Sequence, residues 1–176
     1  FNKNNNTNIK LKEGVIYINN NTKITHICPC GKEWEVRPAN ILSGNSSKCK
    51  ICNSFAQWGI DNLGEDFLEK YWDYDKNNEL GVSPWEISCG INKKVFMHCQ
   101  KVLYHGSYDI AVSKFKSGGR CSYCHSKRIH PYDSFAQYLI NTFGENALKL
   151  YWDYEKNTID PWNAAKSSSV LKVFIK

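Results

Sequence analysis

The stretch Cys49-Lys-Ile-Cys52-Asn-Ser54-Phe-Ala-Gln57 returns as Cys121-Ser-Tyr-Cys124, followed after an insertion by Ser134-Phe-Ala-Gln137. In each copy a C-x-x-C pair precedes a Ser-x-x-Gln pattern. The pair aims two sulfurs at one point, as metal sites require. Ser with Gln three residues later is the capping signal that opens a helix.

The likeness extends outward from there. Tyr71-Trp-Asp-Tyr74 recurs as Tyr151-Trp-Asp-Tyr154, 80 positions on, the same offset as the two Ser-Phe-Ala-Gln motifs. Gly64-Glu65 matches Gly144-Glu145, Lys76-Asn77 matches Lys156-Asn157, and Pro84-Trp85 matches Pro161-Trp162. Cys28, Cys49 and Cys52 recur as Cys99, Cys121 and Cys124 at spacings of 71 to 72, and insertions such as 125–132 explain the changing offset. An internal repeat of this period means an array of similar units. The expected fold class is α+β: two small treble-clef or zinc-ribbon-like modules joined by helical connectors. The expected divisions are a polar segment (1–22), module one (23–53), connector one (54–92), module two (93–125), connector two (126–172) and the start of a truncated third module (173–176). Val173-Phe-Ile-Lys176 matches Val95-Phe-Met-His98 just before Cys99, so another ligand cysteine is expected to follow in a longer protein. The missing initiator Met points the same way, to a fragment.

Within the connectors, Phe55, Ala56, Leu63, Phe67, Leu68 and Tyr71 mark an apolar side, and Gly64 and Gly144 are expected to split each stretch into two short helices. Residues 76–92 read as a loop, and Lys93 to His98 as a strand entering the second module. Trp72, Trp152, Trp85 and Trp162 recur at fixed places relative to the helices, which favours packing over base stacking. Asp73 and Asp153 read as helix-end or turn residues.

Eight cysteines offer either four disulfides in an exported protein or metal ligands in a reducing compartment. The repeated spacing and the lack of an export signal favour metal and a cytoplasmic location. The expected cofactor is Zn2+ at two structural sites. The first takes Cys28, Cys30, Cys49 and Cys52, with His26 as an alternative to Cys30 because C-x-C has a tight bite. The second takes Cys99, His105, Cys121 and Cys124, with His98 competing with His105; the turn Tyr104-His-Gly-Ser-Tyr108 favours His105. Cys89 has no counterpart in the repeat and reads as a small buried or semi-buried thiol.

The stretches Tyr71 to Cys99 and Tyr151 to Lys176 carry a resemblance to the repeats known as the probable zinc-ribbon domain. That pattern runs W-[DH]-x-x-K-N, P, K-V-x-x-x-C, H-G-x-[FY] or G-H-x-W, and G-x-x-C-x-x-C. It falls on Trp72, Lys76, Asn77, Pro84, Lys94, Val95, Cys99, His105, Gly106, Tyr108, Gly118, Cys121 and Cys124. In the first module it falls on Cys28, Gly31, Trp34, Gly44, Cys49 and Cys52. Lys32 departs from it, standing where His often follows Gly, and Cys30 compensates. Such repeats occur in bacterial, phage and plant proteins, sometimes beside nuclease domains. The resemblance implies zinc and suggests nucleic acid.

The formal net charge is +6, and zinc-bound thiolates would bring it to about +3. Cations nonetheless gather near the cysteines: Arg37, Lys48 and Lys50 at the first module, and Lys114, Lys116, Arg120, Lys127 and Arg128 at the second. Interleaved with Phe115 and Tyr123, they are candidate phosphate contacts. The leading expectation is a non-catalytic nucleic-acid-binding module, DNA favoured over RNA, within a larger protein. A protein-interaction or scaffolding module that positions an enzyme domain is the alternative. An HNH-like nuclease fragment is the third reading, and His125, His130 and Asn53 space poorly for it. No membrane span and no small-molecule substrate are expected.

Overall fold

The computed structural model describes residues 9–44, 48–166 and 172–176. Among these the chain is a mixed α+β protein in two compact units. The first comprises residues 1–98 and 109–119, the second 99–108 and 120–176. No helix among the described residues is long and apolar enough to cross a membrane.

The first unit opens with strands β1 (Lys10–Leu11), β2 (Ile24–Ile27) and β3 (Glu33–Val36), antiparallel in that order. The register sets Ile24 opposite Val36 and Ile27 opposite Glu33. A short helix α1 (Pro38–Leu42) follows, and Ile9, Val36 and Ile41 form its buried contact with the sheet. The connector then runs through α2 (Phe55–Leu63), α3 (Phe67–Tyr71) and α4 (Tyr74–Glu79) to β4 (Lys94–His98), which pairs with β5 (Ser107–Ala111). Helix α5 (Val112–Lys116) brings Phe115 against Phe55 and Phe67, with ring centroids 5.8 and 6.1 Å apart. In the second unit α6 (Phe135–Phe143) and α7 (Ala147–Tyr151) repeat α2 and α3.

Ser54 and Ser134 cap their helices as their sequence predicts, each Oγ accepting from the N–H of the glutamine three residues on at 3.1 Å. The glutamines do not return the reciprocal arm of the capping box. Gln57 and Gln137 instead donate forward to Asp61 and Asn141, at 2.8 and 2.9 Å. The reason is local: the Ser54 and Ser134 amides already donate to Ile51 and Pro131 carbonyls. Gly64 and Gly144, with φ of 106° and 87°, break each connector as expected.

The expected loop over 76–92 begins too early. Asp73 caps α4 by accepting from the Lys76 N–H at 3.0 Å, so the helix continues to Glu79. Its Asn77 is fully buried and acts as a strand surrogate. The side-chain amide donates to the Phe96 carbonyl at 2.8 Å and accepts from the Phe96 N–H at 2.9 Å. Asn157 makes the same pair of bonds with Phe174, at 2.7 and 2.9 Å. Trp72 and Trp152 lie at the equivalent bridges to Met97 and Ile175, and both are buried to within 1%. Trp85 and Trp162 stay 36% and 38% exposed, so only half of the repeated tryptophans are core residues.

Where the two connectors differ, they compensate. Gly59 packs directly under the Phe67 ring, and a Cβ there would come within 2.0 Å of it. At the matching positions the second connector has buried Leu139 and buried Ala147: the large and small partners are exchanged. Gly59→Leu alone is expected to destabilise the protein by about 1–3 kcal/mol through overpacking, and Phe67→Ala by about 3–5 kcal/mol through the cavity it leaves. The double variant should recover at least about 1 kcal/mol relative to their sum, read by urea denaturation; strict additivity would refute the exchange.

Candidate metal centres

Each cluster is assembled from two turns. In the first, the chain reverses between β2 and β3: Cys28 N–H donates to Lys32 O at 2.9 Å, and Gly31, at φ 82°, donates to Cys28 O at 2.8 Å. That turn presents Cys28 and Cys30. The second turn, before α2, presents Cys49 and Cys52, and the Cys52 amide donates to Cys49 Sγ at 3.5 Å. The second cluster takes Cys99 and His105 from the turn between β4 and β5, closed by Cys99 N–H donating to Gly106 O at 2.8 Å. Cys121 and Cys124 complete it.

The eight predicted ligands converge as two sets of four, with all ligand atoms of a set within 4.8 Å of one another. In the first set Cys28 Sγ lies 3.7 Å from Cys52 Sγ, and Cys30 Sγ lies 3.6 Å from Cys49 Sγ. In the second set Cys99 Sγ lies 3.4 Å from Cys124 Sγ, and His105 Nδ1 lies 3.2 to 3.9 Å from the three sulfurs. These separations are too long for S–S bonds, which are about 2.05 Å. They fit a tetrahedral ion, whose metal–sulfur bonds of about 2.3 Å set sulfurs about 3.8 Å apart. A set of four cysteines, and a set of three cysteines with one histidine, could therefore each hold a metal ion. Four protein donors fill such a coordination shell and leave no place on it for substrate.

Neither alternative ligand joins its set. His26 is buried inside β2, its ring 5.6 Å from Trp34 and its Nδ1 2.9 Å from Ile24 O, outside the first set. His98 ends β4 and lies outside the second set.

Crowding divides the thiols. An amide bond from Lys32 brings Cys30 down to about 7. Burial raises Cys49 and pushes Cys52 well above the ordinary thiol range. Burial opposes ionisation of Cys99, but amides of Val102 and Lys101 outweigh it and bring that thiol to about 7. Burial lifts Cys124 to about 12. Each cluster thus has one thiol ready to ionise, Cys30 or Cys99, beside others that resist, Cys49 and Cys52 in the first and Cys124 in the second, and a cation removes that resistance.

Sequence reasoning missed one functional residue. Asp133 Oδ2 lies 2.9 Å from His105 Nε2, and Tyr104 donates to its Oδ1 at 2.8 Å. This holds the ring with Nδ1 facing the sulfurs, the carboxylate–histidine arrangement that orients metal ligands. Burial works against the Asp133 charge, yet the bonds from His105 and Tyr104 hold its carboxyl below the usual range. Asn53 occupies the matching place ahead of Ser54, so the repeat concealed the difference.

The predicted phosphate contacts are placed as follows. Arg37, Lys48, Lys50, Lys114 and Lys116 belong to the first unit, and Arg120, Lys127 and Arg128 to the second. Arg37, Lys48, Lys50, Lys114, Lys116, Lys127 and Arg128 are exposed, whereas Arg120 is half-buried. Arg128 lies over the Tyr123 ring, 5.5 Å from its centroid. Lys116 Nζ donates to Cys89 Sγ at 3.6 Å, a basic neighbour for Cys89 that the sequence does not reveal.

Two outcomes test the centres. Asp133→Ala should weaken metal binding at the second site by about 10–100-fold and leave the first unchanged, measured by competition against a chromogenic chelator. Cys30→Ser should deplete the first site of metal, whereas His26→Ala should leave its stoichiometry intact; the reverse result would exchange their roles. No family model matches the chain, and no curated protein or solved structure matches it.

Proposed function

We propose that the chain is a zinc-stabilised, non-catalytic tandem module that binds nucleic acid, with DNA favoured over RNA. The convergence of two complete four-donor sets carries the zinc half of this reading. Soft thiolates with at most one imidazole in a tetrahedral arrangement select zinc over the hard cations. Eight free cysteines suit a reducing compartment such as the cytoplasm. Filled coordination shells suit a structural rather than a catalytic ion.

Support for the nucleic-acid half comes from the exposed cations in each unit, whose side chains can meet phosphates. A polyanion would avoid the hollow of about 550 Å³ in the first unit, whose lining includes Glu65, Asp66, Glu69, Asp73 and Asp75. The resemblance to zinc-ribbon repeats found beside nuclease domains agrees with this assignment. The exposed rings of Tyr74, Trp85, Tyr154 and Trp162 favour a second reading, a protein-interaction module.

Salt separates the two. Fluorescence anisotropy of zinc-loaded protein with labelled DNA should show affinity falling steeply as salt rises, with a slope of about −0.9 per phosphate contact. Lys114→Gln combined with Lys116→Gln should flatten that slope by about 2 without loss of bound zinc. Absence of binding to duplex DNA, single-stranded DNA and RNA at low salt would overturn the reading in favour of a protein partner.

A further inference from the structure

Beside the second metal centre, within the second unit, is a cleft of about 520 Å³. Its lining includes Lys101, Arg128 and Lys166, the rings of Tyr104 and Tyr123, and Ile129. We propose that this cleft receives one unpaired nucleotide of a nucleic-acid strand, the base against the tyrosines and the phosphates on the three cations. The proposal rests on the nucleic-acid reading above and names the form of strand that this site takes.

Size is the first argument. The cleft lies within the range of small-ligand pockets, about 300–1,000 Å³, and suits a single nucleotide rather than the side of a duplex.

The second argument is the stiffness of the aromatic wall. Tyr104 is 47% exposed, yet its hydroxyl is tied to Asp133 and its ring stands edge-on to His105 at 4.9 Å and to Tyr132 at 5.6 Å. An exposed ring held in place this way offers a stacking surface with little ordering cost. Paired bases hide their faces in the stack and show only edges, so stacking on a lining tyrosine selects a base that is unpaired.

Charge sets the orientation. Asp133 is the carboxylate in the lining, and it is already engaged by His105, Tyr104 and, at 3.8 Å, Lys166. Cys124 also faces the cleft, and a metal-bound thiolate there repels phosphate. The neutral base therefore points toward the metal centre. The phosphates stay at the rim, where Lys101 is exposed and the Lys166 side chain is 51% exposed. Arg128, over the Tyr123 ring, can meet a phosphate with the N–H edge of its guanidinium.

The test uses the whole zinc-loaded chain and short oligonucleotides carrying 2-aminopurine, either in a single strand or annealed to a complement. The single strand should bind more tightly, and its 2-aminopurine fluorescence should be quenched by stacking. Lys101→Gln combined with Lys166→Gln should cost about tenfold or more in single-strand affinity and less than about threefold for duplex. Tyr104→Leu should abolish the quench with little change in salt slope. Full cobalt loading of each variant, read by its thiolate absorption, establishes that the fold is kept. If these variants bind the single strand like wild type while Lys114→Gln/Lys116→Gln does not, the cleft assignment fails and the nucleic-acid reading stands. If the wild-type chain binds no oligonucleotide, both fail. Displacement of the strand by a free mononucleotide at micromolar concentration would reassign the cleft to a small ligand and overturn the proposal.

Discussion

Four sulfurs, or three and an imidazole nitrogen, packed within 4.8 Å of one another are the constraint on which each module depends. As thiolates they repel, and as thiols they are crowded groups with weak hydrogen bonds, three of them buried. The split between Cys99 at about 7 and Cys124 at about 12 expresses that conflict within one cluster. A divalent cation removes it, since every sulfur can then ionise against a shared positive charge. The surrounding turns are otherwise modest: a few backbone bonds, one left-handed glycine and two short strands. They hold their shape because the ligands converge.

The two centres differ in what stands behind them. The second has a histidine whose far nitrogen meets Asp133, tied in turn to Tyr104. The first has a fourth cysteine, exposed Cys30, and no side-chain relay is needed because a sulfur has no ring to orient. Replacing imidazole by thiolate changes the charge of the centre by one unit. It also removes the aromatic and acidic neighbours that shape the cleft beside the second centre.

Much of this organisation was legible in the sequence because its signals are local. Both C-x-x-C pairs, the Ser54 and Ser134 caps, the break at Gly64 and the strand before Cys99 all follow from residues within a few positions of one another. What stayed hidden depends on contacts across the fold. Asn77 reads as a turn residue until its amide is seen replacing a strand partner for Phe96, 19 residues away. Asp133 reads as an ordinary residue before a cap until it meets His105, 28 residues earlier. The exchange of Gly59 and Phe67 for Leu139 and Ala147 shows only once the helices are packed. The cations were equally visible in sequence, but their grouping is a property of the surface, and five of the eight lie in a different unit from the cleft.

The asparagine clips described above are short in sequence. Asn77 reaches 19 residues ahead and Asn157 reaches 17, while Cys28 meets Cys52 across 24 and Cys99 meets Cys124 across 25. Neither these clips nor these clusters wait for a distant part of the chain. During synthesis, each set of ligands can close soon after its last cysteine leaves the ribosome, and each clip can fasten once the chain has run about twenty residues past its asparagine. The aromatic core of the first unit closes later, when Phe115 arrives to pack on Phe55 and Phe67.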